Sequence, residues 1–504
     1  MSVAAATTPS SEVHARYEVV VGIEVHCQLR TASKMFCGCS TDYDGAPPNS
    51  HNCPVCLGLP GALPTINRLA VEHVLSTGLA VGASVPEATR WDRKNYFYPD
   101  LPKGYQISQF ELPLASAGTL AFETSEGPVT VRIRRAHLEE DTAKLVHATN
   151  AAGERTSLID FNRSGAPLME IVTEPDIRSA EQSRRYAEEL QMLLRAIGVS
   201  DADMERGQMR VEANVSIRPH GAQELGTRVE VKNMNSFRAV ERAVAYEVER
   251  QAAAIEAGEP LNQETRGWDD ARQATYVMRS KEESHDYRYF PEPDLPPLVT
   301  DPEWLARIRE GLPELPAERR TRYRDALGLS PYDAGVLVGD PLLATAFEAV
   351  LAAGPDLPAK EIANLVTGEY ARLAHEVAER SPGGLIGAAD AVSVADLVRR
   401  VVEGGLSRTN AREVLAAHVR SGEPTATIVE REGLAQISDA GALGSAIDAV
   451  LAANPAAVAD IRAGRAQATG FLVGQVMKAT RGQANAALAQ AALRERLSVV
   501  PDGE

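Results

Sequence analysis

Val19–Leu29, VVVGIEVHCQL, decides the fold class. Ile23, Val25, Cys27 and Leu29 alternate there with Glu24, His26 and Gln28. Successive side chains on a strand point to opposite faces, so this period of two predicts one apolar face and one carrying a carboxylate, an imidazole and an amide. The design recurs in MRVEANVSIR (209–218), where Met209, Val211, Ala213, Val215 and Ile217 back onto Arg210, Glu212, Asn214, Ser216 and Arg218. It recurs again in RVEVK (228–232), with Val229 and Val231 against Arg228, Glu230 and Lys232. PHGAQELGT joins these last two and reads as a hairpin connection. One such strand alone reads as the solvent-facing side of an antiparallel sheet. Several in one sheet make a bed of carboxylates beside guanidinium groups, which suits a divalent cation and phosphates.

Further acids and bases lie close by in the chain. AHLEEDTAK brings Glu139, Glu140, Asp141 and Lys144, and DFNRSGAPLMEIVTEPD brings Asp160, Glu170 and Glu174. RKNYFYPDLPKGYQISQF interleaves Arg93, Lys94 and Lys103 with Tyr96, Phe97, Tyr98 and Tyr105. That mixture fits a nucleotide or RNA end through stacking and charge pairing, or else a packed aromatic loop. No G-x-x-x-x-G-K-[ST] loop, no G-x-G-x-x-G turn and no G-x-S-x-G elbow occurs. Any ATP must then be held by the sheet face and a metal. Strand parity puts Cys27 on the apolar side, which makes it a poor nucleophile.

The five cysteines all fall between Cys27 and Cys56. Cys37-Gly-Cys39 and Cys53-Pro-Val-Cys56 have the spacing of a tetrahedral four-thiolate zinc site, with His51 a less favoured substitute. Four thiolates leave no open coordination position, so such a zinc is structural.

The rest of the 504-residue chain sets the frame. Its hydrophobic content of 44% and charged content of 24% are those of a globular protein. A net charge of −17 argues against non-specific nucleic-acid binding, though not against a local basic patch. No run approaches the roughly 20 apolar residues of a membrane span. The opening MSVAAATTPSSEVHARYE has no basic-then-apolar leader pattern, so a cytoplasmic location is expected. Aromatic residues thin out beyond residue 300, and Ala, Leu, Val and Arg at helical spacing take over. PEPDLPPL (291–298), with four prolines, marks the join. The class is α+β, with expected divisions 1–16 (flexible tail), 17–297 (strand-bearing), 298–410 (helical) and 411–504 (helical tail). The tail's segment 461–500 carries six basic residues against the single acid Glu495.

VGIEVHCQL, KMFCGCS, WDRKNYFYPDLPKGYQISQF, HLEEDTAK, DFNRSGAPLMEIVTEPDIRS, GQMRVEANVSIRP, VEVKNMNSF, DYRYFPEPDLPPL and GFLVGQVMKATRGQAN together resemble the B-subunit family of aspartyl/glutamyl-tRNA(Asn/Gln) amidotransferases, from about residue 17 to 497. The resemblance implies a heterotrimer in which an amidase (the A component) and a small third chain (the C component) are the partners. It implies that ATP and Mg²⁺ are used to phosphorylate the side-chain carboxylate of misacylated Glu-tRNA(Gln) or Asp-tRNA(Asn), which ammonia then converts to the amide. It implies a cradle similar to the glutamine synthetase/guanido kinase fold, and a tail that contacts tRNA. Carried over by motif, Glu24, His26, Glu140 and Glu170 are expected to hold Mg²⁺. Arg210, Glu212, Asn214, Glu230 and Lys232 are expected to meet ATP and its phosphates. Lys94, Tyr96, Lys103 and Tyr105 are expected at the acceptor end or the ammonia route, and Lys478 and Arg481 on the tRNA body. Cys37, Cys39, Cys53 and Cys56 are the expected ligands of a structural zinc found in part of the family. Two other classes fit parts of the pattern: a non-catalytic zinc-containing tRNA-binding scaffold, and a small-molecule carboxylate–amine ligase. The scaffold needs no acid-rich sheet face, and the small-molecule ligase needs no basic tail.

Overall fold

The computed structural model describes residues 11–149, 153–280, 287–378, 390–435, 440–462, 468–480, 483–484 and 486–498. The chain divides into a unit ending at Ala317 and a second beginning at Glu318.

Strands are numbered in chain order. In the first unit eight of them form one sheet: β1 (Tyr17–Gln28), β5 (Ala115–Thr124), β6 (Gly127–Glu140), β9 (Pro167–Thr173), β10 (Met209–Pro219), β11 (Val229–Met234), β12 (Glu264–Asp269) and β13 (Ala274–Ser280). Three smaller sheets complete the set. β2 (Ala88–Thr89) pairs with β15 (Leu298–Val299), β3 (Asp92–Asn95) lies between β14 (Phe290–Pro291) and β4 (Tyr105–Ser108), and β7 (Lys144–Thr149) pairs with β8 (Arg155–Asp160). The order across the large sheet is β13-β12-β11-β10-β1-β9-β6-β5, antiparallel throughout except between β11 and β12. The expected hairpin of β10 with β11 is present, and β1 lies between β10 and β9.

The period of two works as the sequence predicts. Ile23, Val25 and Cys27 of β1, with Val211, Ala213 and Val215 of β10, are buried in one core. Against that face lie helices α2 (Arg68–Ala80), α3 (Ala180–Ala196) and α4 (Phe237–Glu256), numbered after a short α1 (Ser11–Arg16). Each long helix begins on a side-chain cap that accepts a backbone N–H, from Asn67, Ser179 and Ser236 respectively. On α3, Tyr186, Leu190, Leu193 and Leu194 form the buried stripe. Every second residue of the central strands is thereby fixed inward, and the charged remainder is fixed outward.

Two sequence-based divisions shift. Residues 11–16 are helical rather than a loose tail, because Val13 is buried in the sheet's core. The first unit also runs past the proline-rich join, because Trp304, Leu305 and Ile308 of α5 (Pro302–Glu310) pack on the same core.

The second unit is helical throughout its described residues and holds two cores. The first spans Tyr323 to Val429 and takes in Ala411, Val414 and Leu415, so the break read at 410 falls inside it. The second, from Leu443 to Leu493, holds Ile447, Leu472 and Val476. No single described helix is long and apolar enough to cross a membrane.

Candidate active site

Residues directly opposite each other on antiparallel strands share a face. His26 on β1 lies opposite Arg210 on β10 and Glu170 on β9, and Glu170 lies opposite His137 on β6. One row across the sheet therefore reads Arg210, His26, Glu170, His137. In the next row Glu24 stands beside Glu212. In the row on the other side, Leu168 stands opposite Glu139. Glu230 on β11 lies opposite Asn214 and beside Thr265.

These side chains line an open cavity of about 700 Å³. Its acids are Glu24, Glu139, Asp141, Glu170, Glu212 and Glu230, and its cations are Lys94, Arg135, Arg210, Arg228 and Lys232 around His26. His26 Nε2 lies 3.5 Å from Glu170 Oε2, 3.7 Å from Glu139 Oε1 and 3.8 Å from Glu24 Oε1. Lys232 Nζ lies 2.6 Å from Glu212 and 3.4 Å from Glu230. Arg210 pairs with Asp141 at 3.2 Å, and Gln28 donates to the other oxygen of that carboxylate at 2.9 Å. Lys94 stands 3.8 Å from Glu139.

The electrostatics follow from this crowding. Burial disfavours charge on His26, but the neighbouring Glu170 overrides it and lifts the imidazole to about 9. Burial, reinforced by the charge of Glu170, pushes Glu24 up to about 7. Glu170 is itself held well below the usual carboxylate range: burial opposes this, but His137, His26 and Lys94 prevail. Asp141 is likewise held at about 2 against its burial, chiefly by Arg210 and Arg163.

Two overlapping sets in the cavity could hold a divalent cation: Glu24, His26 and Glu212, and His26, Glu139 and Glu170. Within each set the donor atoms lie within 4.8 Å of one another. Ligands of an octahedral Mg²⁺ stand about 3 to 4 Å apart, so small side-chain rotations suffice. The buried Nδ1 atoms of His26 and His137 have no hydrogen-bond partner among the described residues.

Glu140, expected in the cation set, is not in either group. It lies opposite Pro167, one residue out of step with Glu139, and points away from the cavity. Its Oε1 accepts the Ile107 N–H at 3.0 Å and pairs closely with Lys103. Lys103, Tyr105 and Glu140 line a separate hollow of about 110 Å³ together with Phe36, Cys37 and Cys56. The four acceptor-end candidates therefore divide, with Lys94 and Tyr96 in the large cavity and Lys103 and Tyr105 in the small one. Of the phosphate candidates, Arg210, Glu212, Glu230 and Lys232 line the large cavity; Asn214 sits a row further on, opposite Gly22 and Glu230. Lys478 is exposed on the helix Ala468–Ala479, and Arg481 lies outside the described residues.

Sequence reasoning also left out Arg135, Phe110, Tyr287 and Tyr289, which line the cavity. For Glu139 against Glu140 the deciding fact is the β6–β9 pairing: His137 opposite Glu170 puts Glu139, two residues on, on the cavity face.

The sulfurs of Cys37, Cys39, Cys53 and Cys56 all lie within 4.8 Å of one another, without His51. Cys53 Sγ and Cys56 Sγ are 3.9 Å apart. The tetrahedral edge around zinc is about 3.8 Å for Zn–S bonds of about 2.3 Å, so the donor set fits that ion. Lys34 Nζ stands 3.6 Å from Cys56 Sγ, a cation beside a would-be thiolate. Cys27 is buried on the core face, where burial pushes its thiol up to about 12.

The chain matches the GatB/GatE catalytic domain family over residues 19–306 and the GatB domain family over residues 345–497. It is 51% identical over 484 residues to the aspartyl/glutamyl-tRNA(Asn/Gln) amidotransferase B subunit of Anaeromyxobacter sp. (strain K), covering 95% of this chain and 99% of that one. It is 51% identical over 481 residues to the B subunit of Moorella thermoacetica, covering 95% and 100%. The B subunit of Picosynechococcus sp. is 48% identical over 491 residues, covering 95% and 98%.

Two metal measurements test this geometry. Mn²⁺ titrated into the protein and followed by electron paramagnetic resonance should bind at least about tenfold more weakly to Glu139→Gln, and about as well to Glu140→Gln as to the unaltered protein. Binding must displace the protons of His26 and Glu24, so affinity should rise from pH 6 towards pH 9. Loss in Glu140→Gln alone would reverse the assignment. Metal analysis of the purified chain should find about one zinc, lost in Cys53→Ser; a zinc-free parent protein would remove that site.

Proposed function

The chain belongs to the family of aspartyl/glutamyl-tRNA(Asn/Gln) amidotransferase B subunits, and on that premise we propose how its cavity carries out the reaction. It is a component of an ATP-dependent ligase that makes the amide on misacylated tRNA. The observation that carries the reading is the row Arg210, His26, Glu170, His137, with carboxylates and cations interleaved on both sides of it.

Phosphorylating a carboxylate brings one anion against another. That demands charge neutralisation and alignment more than a protein nucleophile. The side-chain carboxylate oxygen of the misacylated Glu or Asp attacks the γ-phosphorus of ATP, and the bond to ADP breaks. Ammonia then attacks the acyl carbon, the C–O bond to phosphate breaks, and one proton passes from nitrogen to the departing phosphate, leaving the amide and inorganic phosphate. Glu24, His26, Glu139, Glu170 and Glu212 would hold Mg²⁺, which would supply positive charge to offset that of the phosphates. His26 would join such a set once its proton is lost.

Arg210, Lys232 and Arg228 act on the phosphates. Asp141 and Glu212 hold the first two of these cations in place. Asn214 and Glu230 stand on the same face, with the Thr265 hydroxyl donating to Glu230 at 2.7 Å. Lys94 and Tyr96 face the acceptor. Lys103, Tyr105 and Glu140 line a second, smaller hollow, and we assign Lys103 and Tyr105 to the ammonia route. The Cys₄ set is read as a structural zinc that keeps the wall of that hollow in place.

Ammonia comes from an amidase partner, and a small third chain completes the heterotrimer in the cytoplasm. Lys478 and Arg481 meet the tRNA body. A cradle kinship with the glutamine synthetase/guanido kinase fold rests on the same antiparallel sheet with one charged face. A bare scaffold would have no use for the interleaved carboxylates, whose burial is costly unless each is paired.

The test is run on the assembled heterotrimer. ATP hydrolysis should be stimulated by misacylated tRNA, and Glu24→Gln should lower amidation by about a hundredfold while filter binding of the tRNA is retained. Lys478→Glu with Arg481→Glu should do the reverse, weakening tRNA binding first. Full amidation by Glu24→Gln would favour the scaffold reading instead.

A further inference from the structure

Four rings line one end of the large cavity: Tyr96, Phe110, Tyr287 and Tyr289. Phe110 and Tyr289 lie stacked, centroids 4.1 Å apart and planes 10° from parallel. Tyr287 stands edge-on to Tyr289, at 6.0 Å and 69°, and to Tyr96, at 5.9 Å and 71°. The result is a corner with one flat floor and upright sides. Rings that only filled a core would be buried as Trp91 is, at 1% exposure, whereas Phe110 is 45% exposed. Among the described residues, neither the Tyr287 nor the Tyr289 hydroxyl has a hydrogen-bond partner, so both can meet a guest.

The backbone holds this corner at some strain. Arg288, between the two tyrosines, has φ of +44°, a conformation unfavourable for a residue with a Cβ. Asn95 keeps it there. Its backbone N–H donates to the Tyr287 carbonyl at 2.9 Å, and its side-chain amide donates to the Arg288 carbonyl at 2.9 Å. Strain maintained by a dedicated clamp beside a cavity is a feature of binding sites.

We propose that this aromatic corner is an adenine subsite that takes the terminal adenosine of the acceptor tRNA. The inference rests on the function proposed above and assigns it a place. The corner adjoins the carboxylates through Lys94, whose Nζ lies 5.2 Å from the Tyr287 ring centre and 3.8 Å from Glu139. Arg228, Glu230 and Lys232 lie on or beside β11, on the other side of β1 in the sheet order. Two anionic substrates meeting at His26 repel each other, which favours entry from opposite sides. The triphosphate takes the cationic β11 side. The aminoacyl ester enters from the aromatic side, and the base next to its ester bond stacks in the corner. Stacking tolerates the small shifts the ester must make, because a ring face has no fixed contact points.

ATP also carries adenine, so the test separates the two sources. In the assembled complex, Tyr289→Leu should raise KM for misacylated tRNA about tenfold or more and leave KM for ATP within about twofold, the size of one lost base–ring stack. Tyr289→Phe, which keeps the ring, should recover most of that loss. A rise in KM for ATP alone would give the corner to ATP, and no change in either would reduce it to packing. A second measurement needs no variant. An acceptor-stem minihelix ending in adenosine should inhibit the unaltered enzyme about tenfold more strongly than the same minihelix with an abasic last nucleotide. Equal inhibition would overturn the proposal. An undiminished Glu24→Gln enzyme would sink the phosphorylation reading and leave these KM ratios readable on their own.

Discussion

The contact of His26 with Glu170, 3.5 Å apart on neighbouring strands, is the point on which the first unit turns. It exists only because β1 is in register with both β9 and β10. A slip of one residue would send Glu24 and His26 into the core and bring Val25 and Cys27 out. Burial of Val25 and Cys27 against the helices therefore fixes the site as firmly as any polar contact does. One strand serves both purposes, and core and cavity cannot be altered separately along it.

Placing so many charges in one hollow is unfavourable unless they neutralise one another. The cavity meets that condition by alternation. Glu212 has Lys232, Asp141 has Arg210, Glu139 has Lys94, and Glu170 has the protonated His26. Glu24 is the exception: burial pushes its carboxyl up to about 7, and neighbouring acids add to the shift. His26 and Glu24 together thus retain protons that a divalent cation would displace. A divalent cation that replaced those two protons would leave the charge balance unchanged while supplying positive charge to the incoming triphosphate and carboxylate.

Much of this was legible in the sequence, for a physical reason. Period two is a local property, so the faces of β1, β10 and β11 could be read residue by residue, and the four cysteines by their spacing. What could not be read depends on distant segments. Glu139 and Glu140 are neighbours in a strand buried on both faces, so hydropathy does not say which one faces the cavity. Only the pairing with β9 decides it. Tyr287 and Tyr289 join Tyr96 through a three-stranded ribbon in which β14 lies nearly 200 residues from β3, and no periodicity announces such a pairing. The helical core that runs on through Ala411 and Val414 shows the same limit, since which helices share a core is settled by packing and not by local periodicity.

The central claim is that the sheet face joins a carboxylate oxygen to a phosphorus atom before nitrogen arrives. Oxygen tracing tests it most directly. Glu-tRNA(Gln) carrying ¹⁸O in both side-chain carboxylate oxygens would be turned over by the complete enzyme with ATP and glutamine, and the phosphate analysed by mass spectrometry. An acyl phosphate formed in this cavity transfers one ¹⁸O to each inorganic phosphate released. Phosphate free of label, with amide formed at the normal rate, would contradict it.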